Sequence, residues 1–74
     1  MSVADDVLSI LSRDLGPSAS SFLKRQVAAH LKKEVPELAK GDIEELAKWS
    51  YTGVKLMIDE PTAERVRKSL LALK

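Results

Sequence analysis

Ser2-Val-Ala-Asp-Asp-Val-Leu-Ser-Ile-Leu-Ser-Arg-Asp-Leu-Gly-Pro17 is a whole helix with its punctuation written out. Ser2 is placed to cap the first backbone N–H groups, and Asp5 and Asp6 sit where the helix dipole favours negative charge. Val3, Val7, Leu8, Leu11 and Leu15 recur at helical spacing and form one apolar stripe, widened by Ile10. Gly16 supplies a residue that tolerates the left-handed conformation of a helix end. Pro17 cannot continue the ladder but suits the first turn of a new helix.

The same grammar repeats along the chain. A second helix is predicted from Pro17 to about Val35, with Ala19, Phe22, Leu23, Val27 and Leu31 facing inward. It stops where Pro36 forces Val35 out of the helical region. Glu37 to Lys40 reads as one short helical turn, closed by Gly41, that drops Leu38 into the core. Asp42 and Glu45 form a D-x-x-E pattern, which predicts a capping box and a third helix from Ile43 to about Ile58. Its buried face is expected to hold Ile43, Leu46, Ala47, Val54, Met57 and Ile58. The last helix is opened by Asp59-Glu-Pro-Thr and runs to the C-terminus, with Ala63, Val66, Leu70 and Leu73 inward. No segment alternates with period two and no hairpin turn dipeptide occurs. The expected fold is all-α: a single domain over residues 1–74, a compact four-helix bundle with a short helical turn between helices 2 and 3.

Size and composition restrict function. Seventy-four residues have a folded surface of roughly 4,500 Å² and bury about 60% of what the unfolded chain exposes, which is one thin core. An enzyme cleft would consume much of it, so no catalysis is expected. The chain is 45% hydrophobic and 31% charged, an ordinary globular composition without a membrane span. Acids rather than basic residues follow Met1, so the expected location is cytoplasmic. There is no Cys and one His, which argues against disulfides, metal and cofactor.

The net charge of +1 hides blocks. Ser21 to Lys33 carries Lys24, Arg25, Lys32 and Lys33 and no acid, while Glu34 to Ala47 carries Glu34, Glu37, Asp42, Glu44 and Glu45 against Lys40. Such alternation marks complementarity between neighbouring helices more often than a nucleic-acid surface. The carboxylates lack the alternating ligand pattern of a calcium loop and read as solvated caps. Arg25 and Lys32 share one side of helix 2. With Arg65 and Lys68 of helix 4 they form the alternative reading, a nucleic-acid-binding face. His30 would titrate near neutrality, yet it falls among Ala19, Leu23 and Val27 and reads as a core or helix-boundary residue. Ser18, Ser20 and Ser21 read as helix-start residues, with modification as the competing view.

Trp49 and Leu56 lie on a flank of helix 3 that the core does not need, with Gly53 between them. Either the N-terminal helix packs across this flank, using Gly53 for close approach, or the flank is a docking or self-association site anchored by Trp49.

Leu15-Gly-Pro-Ser-Ala-Ser-Ser-Phe-Leu-Lys-Arg25, after an amphipathic helix and followed later by Leu46-Ala47, resembles a small helical module appended to some bacterial serine/threonine kinases and signalling proteins. In that module a Gly-Pro turn opens a helix bearing a Lys-Arg pair. The match covers about a dozen residues. It implies a non-enzymatic accessory domain and carries over no catalytic residue. The sequence therefore reads as a small protein-interaction module whose partner is another protein or a second copy of itself.

Overall fold

The computed structural model describes residues 2–74. The fold is helical, with no strand among the described residues, and its surface of 4517 Å² is that of a fully folded chain of this length.

Helix α1, Val3–Leu15, begins as its sequence dictates. The Ser2 hydroxyl accepts the Asp5 N–H at 3.2 Å, and the Asp5 carboxylate accepts the Ser2 N–H at 3.4 Å. At the other end Gly16 takes φ 58° and donates its N–H to the Ser12 carbonyl. One 3-10 turn over Gly16–Ser18 then leads into α2, Ala19–Gln26.

Helix 2 departs from expectation at its end. After Gln26 the coil widens into a π turn over Val27–Leu31, and Lys32 stops it in the left-handed conformation at φ 55°, ψ 43°. The helix thus ends before Pro36 is reached. The reversal carries Lys33 to Asp42, whose carboxylate lies 2.9 Å from the ammonium. Two 3-10 turns follow, Val35–Glu37 and Lys40–Asp42, with buried Leu38 between them. Leu38 is buried as expected, but the single turn predicted over Glu37 to Lys40 is replaced by two turns that flank an extended Leu38–Ala39, and the predicted capping box is absent. Asp42 makes no side-chain cap on the next helix, because its carboxylate is engaged by Lys33 and by the Ala39 N–H at 3.0 Å.

Helix α3, Ile43–Met57, and α4, Glu60–Leu71, form an antiparallel hairpin. The two-residue connection Ile58–Asp59 makes them antiparallel, and ion pairs of Glu44 with Lys74 and of Lys55 with Glu60 lie at the two ends. Asp59 caps α4 by accepting the Thr62 N–H at 2.8 Å. Helix α1 packs on α2 and α4, and α3 packs on α2 and α4. The core joins Val7 and Leu11 of α1, Phe22 and Leu23 of α2, Ile43, Leu46 and Val54 of α3, and Val66 and Leu70 of α4.

A compact all-α domain is therefore present, while a regular four-helix bundle is not clearly formed. Three helices reach twelve residues or more, and α2 has eight before its coil widens. The α3 stripe also ends early. Met57 and Ile58, expected inside, are 53% and 46% exposed, because the chain turns at Ile58–Asp59 and no element covers the last turn of α3.

Candidate functional site

The flank of α3 that carries Trp49, Gly53 and Leu56 is met by α2, not by the N-terminal helix. A Cβ built on Gly53 would lie 2.7 Å from Phe22 Cε1 and 3.4 Å from Gln26 Nε2. Gly53 thus serves close approach, but to Phe22 of α2 rather than to the N-terminal helix. One turn earlier, Trp49 stacks on His30: the ring centroids are 3.8 Å apart and the planes 4° from parallel. The indole N–H donates to Glu45 at 3.4 Å, and the Lys48 ammonium stands 5.4 Å from the ring centroid. Trp49 is half-buried and outside the hydrophobic core.

His30 is corrected by the same contact. Its expected place among Ala19, Leu23 and Val27 is not taken, since the π turn shifts it to an exposed position against Trp49. Periodicity with 100° per residue could not have found this, because the π turn breaks the period just before His30.

Leu56 stands 83% exposed and is followed by exposed Met57 and Ile58. These three form an apolar apex where α3 turns into α4. Sequence reasoning placed the last two inside, although a signal was available. Three successive helical residues span about 200° of arc, which a single neighbouring helix cannot cover.

The residues of the alternative reading are dispersed. Arg25 and Lys32 are exposed on the second helical segment. Arg65 is held at 2.7 Å by Asp14 of α1, and Lys68 is exposed on α4. The two basic sets stand on different helices, and no contact joins them among the described residues.

Two surface depressions of about 360 and 380 Å³ lie between α3 and α4, and a third of about 410 Å³ lies at the start of α3 beside Gly41. They are open, and Lys48 borders each of them. Tyr51 lines one of them, its hydroxyl donating to Glu60 at 3.0 Å, which raises the phenol above its usual range. Glu44 is lowered by the hydrogen bond and charge of Lys74. Among the described residues no group of three or more His, Asp or Glu side chains is arranged to hold a metal ion. No helix is long and apolar enough to cross a membrane.

Comparison with known proteins finds no matching family, no curated protein and no solved structure.

Proposed function

We propose that this domain is a small, non-catalytic helical interaction module, a cytoplasmic bundle of four helical segments that docks another protein at the α3–α4 apex. The observation that carries the reading is the exposure of Leu56, Met57 and Ile58 in succession, at 83%, 53% and 46%. Large apolar groups clustered at one end of a helix and left in water are a recognised mark of contact sites. Trp49 borders the same flank. Its half-buried ring, steadied by His30, suits a rim contact rather than the central anchor of the docking alternative. The open depressions support a binding role over catalysis.

The nucleic-acid reading ranks lower, because Arg65 is paired with Asp14 and the aromatic rings are engaged within the domain: one face of Trp49 lies on His30, Phe22 is buried, and Arg67 stands near the Tyr51 ring.

The test is a photo-crosslinking side chain at Met57, read in cells with and without Leu56→Glu. A discrete crosslinked protein that disappears with Leu56→Glu, in a variant whose melting temperature is unchanged, supports the reading. Crosslinks that are absent, or equal in both backgrounds, overturn it.

A further inference from the structure

Lys48 of α3 and Arg67 of α4 border both depressions between these helices, so the two cations address one concave surface from opposite sides. Lys74 borders the first depression as well, over buried Ala47 and half-buried Leu71. At either end of the hairpin a cation on one helix meets an acid on the other, Lys74 with Glu44 and Lys55 with Glu60. The stretch between departs from that pattern. Lys48 has no acid partner among the described residues, and the Arg67 guanidinium is held by Glu64 of its own helix, with the Tyr51 ring centroid 5.7 Å away. Like charges thus share a concavity with apolar side chains in it, where their field is concentrated. Other exposed cations, such as Lys40 and Lys68, border none of these depressions.

We infer that this stretch of the α3–α4 groove binds an acidic peptide segment, with a carboxylate between Lys48 and Arg67 and an apolar side chain against Leu71. The depressions are open and joined through Lys48 and Arg67, so they suit an extended chain better than a small molecule, which needs enclosure. The cations here already take carboxylates, Arg67 that of Glu64 and Lys74 that of Glu44. Exposed ion pairs contribute little, so these cations exchange their own partners for those of a ligand at small cost. Glu44 and Glu64 also stand on the rims, one at each depression. They would repel the unbroken charge of a nucleic-acid backbone, whereas a peptide sets apolar side chains between its acids. The site lies along the seam of the two helices and uses none of Leu56, Met57 and Ile58, so it does not rest on the apex reading. Attraction between charges at an open surface makes the binding salt-sensitive.

Magnetic resonance titration of the full chain in low salt tests it, with a blocked hexapeptide that alternates glutamate and leucine and a counterpart that has glutamine for glutamate. The expected result is a set of amide shift changes centred on Lys48, Arg67 and Leu71 that saturates at millimolar glutamate peptide and is far weaker with the glutamine one. Lys48→Met should weaken binding about two- to fivefold and Lys48→Glu more, both with unchanged circular dichroism, while Leu56→Glu leaves it as it was. No shift change in the groove at millimolar peptide overturns the inference. So does equal binding of the two peptides, or indifference to Lys48→Glu. Inorganic phosphate or single-stranded DNA that binds the same residues as tightly as the glutamate peptide overturns it too, since the groove would then take anions without regard to the peptide. Shift changes lost on Leu56→Glu would move the peptide to the apex and overturn the assignment to the groove.

Discussion

Gly53 of α3 faces the edge of the Phe22 ring so closely that a Cβ would lie 2.7 Å from Cε1 and 2.9 Å from Cζ. Phe22 is only 3% exposed and packed into the core, so its ring has little room to retreat. Two effects oppose each other in Gly53→Ala. Helix propensity favours Ala by about 1 kcal/mol, whereas overpacking a tight contact costs about 1 to 3 kcal/mol. The clash should win, leaving a net loss of about 1 kcal/mol in chemical denaturation. Because the penalty belongs to the pair, Gly53→Ala should cost less in a Phe22→Leu background. An equal loss in both backgrounds would show that the ring is not the obstacle.

Ser50 lies on the inward side of α3, fully buried, and its hydroxyl has no hydrogen-bond partner. A buried hydroxyl left unpaired costs about 1 to 3 kcal/mol, and Ser is also a weaker helix former than Ala. Ser50→Ala should therefore raise the melting temperature, with a gain of about 1 kcal/mol. A loss of stability instead would mean that the hydroxyl is satisfied in solution.

How much of this was legible depends on how far apart the deciding groups are. The Ser2–Asp5 cap, the Gly16 stop and the Asp59 cap join neighbours within three or four residues, so the local string contains both partners. Asp42 looked like such a cap. Its carboxylate is taken by Lys33, nine residues earlier, and spacing rules weigh no competitor at that range. Lys32 is not a residue type that announces a left-handed turn, and the end of helix 2 was accordingly assigned to the more visible Pro36. Periodicity identified the face of α3 correctly from Ile43 to Val54 and failed at Met57 and Ile58. A stripe records which side turns inward but not where the neighbouring helices stop. The basic residues were legible as a pattern, while the pairing of Arg65 with Asp14, 51 positions away, depends on the tertiary fold.

The single Trp reports on the α2–α3 seam. Half-buried and outside the core, Trp49 should lose about 1 to 2 kcal/mol on replacement by Ala, less than the roughly 3 to 5 kcal/mol of a core aromatic. Its emission maximum should fall between those of wet and dry indole. Removing the stacked imidazole in His30→Ala uncovers one ring face and should shift emission to the red without changing helix content. An emission maximum indifferent to His30→Ala would mean that the stack does not persist in solution.

Acid should loosen the connector together with the α4 cap and the Glu44–Lys74 pair. The hydrogen bond from Lys33, with the Ala39 N–H and the Lys33 charge, holds the Asp42 carboxyl below its ordinary 3.8. Asp59 is likewise lowered from 3.8 by Thr62, and Glu44 from 4.5 by Lys74. In each case the unfolded chain takes up its proton at a higher pH than the folded one. The stability these groups contribute is therefore complete above their unfolded values and disappears as pH falls through them toward the folded values. Chemical denaturation should show a plateau from neutrality down to about pH 5 and a decline below it. Asp42→Asn should lower the plateau and flatten the decline, because it removes both the Lys33 partner and one titrating group. Lys33→Met should do the same with Asp42 left in place, since the cation that lowers its carboxyl is gone. If the two variants instead run parallel to the parent through the acid range, the Lys33–Asp42 pair contributes nothing to holding the connector.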